Sequence, residues 1–169
     1  MADAAAEREW LHAGRVGRPH GLDGSFLVIE PNAVLLRAGG TVLVAGAERA
    51  IERLAGHERR LIVRLEGCAD RAAAEALRGQ ALLVARAEAP ELEQDEWWAE
   101  DLEGLSVRDG TRDVGTVRRL LALPSCEVLE VERSAGGRPL LVPLVSDAVR
   151  AVDLERRLID VDLEFLGEE

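Results

Sequence analysis

The segment IDVDLEF, Ile159 to Phe165, alternates apolar and acidic residues without a break. Ile159, Val161, Leu163 and Phe165 fall on one side of an extended chain; Asp160, Asp162 and Glu164 fall on the other. A two-residue period belongs to a strand with one buried and one solvated face, not to a helix. The same period recurs in LIVRL, where Leu61, Val63 and Leu65 oppose Arg64. Comparable short runs fill the first half at Trp10–Val16, Ser25–Glu30, Thr41–Val44, Ala50–Leu54, Arg60–Leu65 and Ala81–Arg86. In the second half they lie at Gly104–Arg108, Gly115–Leu123, Glu127–Glu132, Pro139–Pro143 and Leu158–Phe165. One helix interrupts them: DRAAAEALRG offers Asp70 as N-cap, an alanine-rich body and Gly79 just past the end.

These signals predict an all-β chain of two small barrels with a short helix late in the first. The boundary is compositional. AEAPELEQDE holds one proline and five acidic residues, and reads as a linker. The expected division is a six-stranded barrel over 10–85, a linker over 86–95 and a second barrel over 96–167. Within RPLLVPLVSDAV, Pro143 would forbid a ladder bond and so marks an edge or a strand end; Ser146–Ala148 reads as a turn.

The formal charge of -11 is unevenly placed. Residues 1–85 hold 11 Arg and 11 Asp/Glu, whereas residues 86–169 hold 10 Arg and 21 Asp/Glu. The acidic second half is repelled by a bare phosphate backbone, while the neutral first half can carry a local basic patch. There is no lysine, so every fixed cation is an arginine, suited to bidentate contacts with phosphate or carboxylate. Cys68 and Cys126 are too few for a disulfide framework and read as ordinary thiols in a reducing cytoplasm. The start, Met1 to Glu9, is expected to be loose and shows no secretory pattern; no apolar run is long enough to cross a bilayer.

Chemistry is harder to find. GRVGRPHGLDGSFLVIE, Gly14 to Glu30, is rich in glycine, but a P-loop needs a lysine that the chain lacks. A dinucleotide fingerprint leads from strand to helix, whereas this stretch joins two strands. His12, His20 and His57 lack metal-ligand spacing, and no nucleophile–base pair stands out, so no catalytic residue, metal or cofactor is assigned. Instead Gly17, Gly21 and Gly24 supply turn conformations and Pro19 stiffens the segment. Arg15, Arg18 and His20 are then presented on or beside a rigid loop, an arrangement suited to phosphate or an acidic protein surface. In EWWAEDLEG, Trp97 and Trp98 cannot face the same way; one can enter a core while the other lies near the surface or the domain junction, as a candidate protein contact.

These stretches together resemble the RimM family of ribosome maturation factors. GRVGRPHGLDGSFLV looks like the family's first motif, and Gly14, Arg15, Gly17, Pro19, His20, Gly21 and Gly24 match it, Gly14 joining the residues that shape the loop. AEALRGQALLV resembles the segment ending the family's first domain, and EWWAEDLEGLSV its entry into the second. GTVRRLL, EVLEVE, LLVPLV and VRAVDLERRLIDVDL follow in the order of a PRC-type barrel. Trp97 and Trp98 stand where the family most often has tyrosines, and Asp23 where a basic residue is common. The resemblance implies a non-enzymatic, cytoplasmic, monomeric assembly factor without cofactors. It would bind the head of the immature 30S subunit through a head ribosomal protein, with 16S rRNA nearby, and contact neither DNA nor membrane. A protein-only adaptor and a small-molecule enzyme are the alternatives.

Overall fold

The computed structural model describes residues 9–168, so the expected looseness of the start lies, Glu9 apart, outside the described residues. The chain divides into two compact units, residues 1–93 and 94–169.

In the first unit β1 (Trp10–Pro19), β2 (Phe26–Ile29), β3 (Thr41–Val44), β4 (Ala47–His57), β5 (Arg60–Leu65) and β6 (Ala81–Ala85) close into a barrel in the order β1-β2-β5-β4-β3-β6. Closure leaves no free sheet edge. The alternating residues meet inside: Leu11, Val16, Phe26, Val42, Val63, Leu65 and Leu82 are fully buried. The helix α1 (Arg71–Leu77) starts as its sequence predicts, with the Asp70 carboxylate accepting the Ala73 N–H at 2.8 Å. After α1 the chain turns back onto β1. The Gly79 N–H donates to the Val16 carbonyl and the Val16 N–H to the Gln80 carbonyl, both at 2.8 Å. Arg86–Glu88 form a 3-10 turn held to the same unit, the Arg86 N–H donating to the Glu9 carbonyl.

The second unit contains the short helix α2 (Ala99–Leu102) and strands β7 (Ser106–Asp109), β8 (Arg112–Ala122), β9 (Glu127–Arg133), β10 (Leu140–Pro143), β11 (Val149–Asp153) and β12 (Leu158–Val161). They form a curled six-stranded sheet, ordered β10-β9-β8-β7-β12-β11, with β7 and β12 parallel and the other pairs antiparallel. Its concave side holds a core that includes Leu102, Leu105, Val107, Leu129, Val131, Val142, Ile159 and Val161. Pro143 closes β10, an edge strand, as its missing N–H requires.

Three elements differ from the sequence reading, the first being the short helix α2, which the sequence reading did not include. The last strand ends at Val161, and Phe165 is 53% exposed although it continues the apolar alternation. The Asp162 carboxylate accepts the Phe165 N–H at 2.9 Å and turns the chain out of the sheet. Val149–Asp153, not among the strands expected above, is the edge strand β11. It is clipped to its neighbours by Arg150, whose guanidinium reaches Asp109 (2.7 Å), Asp162 (3.1 Å) and Asp160 (3.3 Å).

Candidate functional site

Most of the glycine–arginine segment is strand rather than loop. Gly14, Arg15, Gly17, Arg18 and Pro19 all belong to β1, and only residues 20–25 connect it to β2. A regular strand shows every second residue to solvent. In β1 the exposed positions are His12, Arg15 and Arg18, three apart. Two irregularities in register cause this, one between His12 and Gly14 against β6, the other between Val16 and Pro19 against β2. Each inserts an extra residue and resets which face looks outward. The bulges thereby convert a period of two into a period of three, and three basic side chains share the outer face of one strand. His20, also exposed, follows directly. Among the described residues, Arg15, Arg18 and His20 have no side-chain partner within the protein.

The glycines permit this geometry for differing reasons. Gly14 has φ +135°, and a Cβ there would meet a Val28 methyl at 2.5 Å. Gly17 needs no unusual φ, contrary to a turn role; a Cβ would instead stand 2.5 Å from the Leu27 carbonyl oxygen, so glycine lets β2 come close. In the connection, Gly21 has φ +75° and Gly24 φ +83°. At Gly24 a Cβ would come within 2.0 Å of the Cys68 carbonyl oxygen, which seats the loop on the segment leading into α1. The loop is closed by the His20 N–H donating to the Ser25 carbonyl at 2.7 Å.

Asp23, the residue least suited to a phosphate site, is internally engaged. Its carboxylate accepts the Ser25 N–H at 3.2 Å and pairs with Arg53 (3.2 Å) and Arg64 (3.6 Å) from β4 and β5. Hydrogen bonding from Ser25, whose N–H donates to it, and the charge of Arg53 hold this carboxyl below the usual carboxylate range. Asp23 therefore spends its charge on two arginines of the barrel wall, and Arg15 and Arg18 have no such partner among the described residues. No local pattern signals this pairing, because the three residues come from distant segments.

Neither Trp97 nor Trp98 is exposed. Trp98 is buried, at 9% exposure, and caps the start of α2; Trp97 is half-buried and packs against the core of the second unit. Much of both rings is thus committed to structure. The two cysteines are free thiols, Cys68 buried and Cys126 half-buried.

Comparison with known proteins assigns both halves. Residues 11–89 match the RimM N-terminal domain and residues 99–164 the RimM PRC barrel domain. The chain belongs to the RimM family. A protein of Kocuria rhizophila named ribosome maturation factor RimM is 35% identical, the match covering 88% of this chain and 91% of that one. A protein of the same name from Sorangium cellulosum is 36% identical, over 92% and 95% of the two chains. The solution structure of the N-terminal domain of RimM from Thermus thermophilus is 36% identical, with a TM-score of 0.44, and covers 50% of this chain and 98% of its own.

Proposed function

We propose that this protein is a ribosome maturation factor that acts by binding, without making or breaking a covalent bond. It engages the head of the immature 30S subunit, a head ribosomal protein on its acidic second unit and neighbouring 16S rRNA on its first, and assists assembly and rRNA processing. Family membership supports the maturation role. The observation that carries the division of contacts is the bulged strand β1, which aligns Arg15 and Arg18 outward with no counter-charge among the described residues.

Such cations are available to phosphate at little entropic cost, since β1 is fixed on both sides by the barrel. The second unit, residues 94–169, carries 9 Arg against 18 Asp/Glu and so complements a basic protein far better than RNA. The working site is therefore cytoplasmic and the partners are protein and RNA of the small subunit. Co-sedimentation with immature and mature small subunits tests the role. Binding confined to immature subunits is the expected result; equal binding to both, or to neither, would overturn it.

A further inference from the structure

The register of the second unit assembles an apolar surface that no single stretch of sequence reveals. On β8, β9 and β10, Leu121 pairs with Val128 and Val128 with Pro143. One step along, Arg119 pairs with Glu130 and Glu130 with Leu141. In the other direction the Leu123 N–H donates to the Cys126 carbonyl and the Leu144 N–H to the Glu127 carbonyl, which continues the pairing to Leu123 and Cys126, with Val145 just past the end of β10. The residues between these rows, Leu129 and Val142, point into the core, so the three rows occupy the opposite, convex face.

The result is a three-by-three grid with seven apolar positions and an ion pair between Arg119, at one corner, and Glu130 beside it. Its middle strand is covered, Val128 and Glu130 both being buried, so the open apolar side chains lie on the flanking strands. Leu141, Leu123 and Val145 are 52%, 49% and 39% exposed, three of the eight exposed large apolar side chains among the described residues. Strand and residue spacings give the grid a footprint of roughly 10 by 14 Å before side chains are counted. A contiguous aliphatic patch with charge at its margin has the anatomy of a protein contact, not of an RNA one, which would call for aromatic platforms or cations.

We infer that this convex face of β8, β9 and β10 is the surface on which the second unit docks its protein partner, an aliphatic patch set in a basic protein surface. The inference rests on the maturation role proposed above and assigns its protein contact to a place other than Trp97 and Trp98. The partner's charge follows from complementarity: around the grid the unit has exposed Glu127, Glu132 and Asp147, and as a whole it carries twice as many acidic as basic residues. Docking is face-on rather than by strand addition. Proline brackets β10 at 139 and 143, and the Pro143 carbonyl is already taken by the Val145 N–H at 2.9 Å.

The full-length chain tests this by titration against immature small subunits and against isolated basic head proteins of that subunit. Leu141→Glu is expected to weaken both associations by about tenfold or more, because it sets a charge among the exposed apolar side chains that the partner covers. Leu154→Glu, at an exposed leucine outside the grid, is expected to leave both within about twofold. Unchanged binding of a folded Leu141→Glu chain, or capture of RNA or of a second copy of the chain by this face, would overturn the inference while leaving the maturation role intact. Failure of the unaltered chain to bind immature subunits would remove both.

Discussion

Gly24 shows how much a single hydrogen atom in place of a methyl can decide. Its φ of +83° and the Cys68 carbonyl oxygen, 2.0 Å from where a Cβ would stand, leave a side chain neither a relaxed backbone nor space. The obstacle is backbone, so it cannot swing aside. Gly21 shares the positive φ, but nothing lies nearer than 3.8 Å to its Cβ position. The two therefore separate strain from collision. Gly21→Ala is expected to cost about 1 kcal/mol, the usual penalty for a left-handed alanine. Gly24→Ala is expected to cost about 3 kcal/mol or more, since strain and backbone displacement add. Thermal denaturation of both variants checks this, and equal midpoints would refute it. In the sequence the two glycines look alike, because the segment that crowds Gly24 is more than forty positions away.

At the scale of the element, α1 has only seven residues, too few to hold itself together without tertiary help. Its cap and its exit share one task. Asp70 fixes the first turn, and Gly79 and Gln80 clasp both backbone groups of Val16, the residue after Arg15. Asp70→Ala is expected to cost about 1 kcal/mol and to speed amide exchange at Gly79 and Val16 together. Exchange that rises within α1 but not at Val16 would break the link between helix and basic strand. This helix was legible in the sequence because its stop signals are local. The strands of clean alternation were legible for the same reason. What stayed hidden was set by pairing. The bulges of β1 arise where partners on β2 and β6 fall out of step, and no run of residues announces them. In VRAVD the alternation is too short and too mixed to declare β11, and in IDVDLEF it outlasts the strand because Asp162 captures a backbone N–H.

For the whole molecule, the two units offer different contact chemistries. Residues 1–93 carry 12 Arg and 14 Asp/Glu and are nearly neutral, with Arg15 and Arg18 exposed on β1; residues 94–169 carry nine surplus negative charges and an aliphatic face. Salt separates the two. Each phosphate neutralised by an arginine releases counterions, contributing about 0.7 to 0.9 to the slope of log affinity against log salt concentration. Aliphatic contacts have no such term, and added salt screens the repulsion between the acidic unit and RNA. Binding of the full-length chain to a fragment of 16S rRNA from the subunit head is therefore expected to weaken with salt. Arg15→Ala with Arg18→Ala should flatten the slope by about 1.5, two phosphate contacts' worth. Arg53→Ala should flatten it less, because Arg53 already faces Asp23. Leu141→Glu should leave the slope unchanged even where it abolishes capture of a head protein. If the double arginine variant retained the full slope, β1 would not be where phosphate is met, and the cations would have to be sought elsewhere on the first barrel, with Arg59 and Arg60 at the β4–β5 turn the next exposed pair.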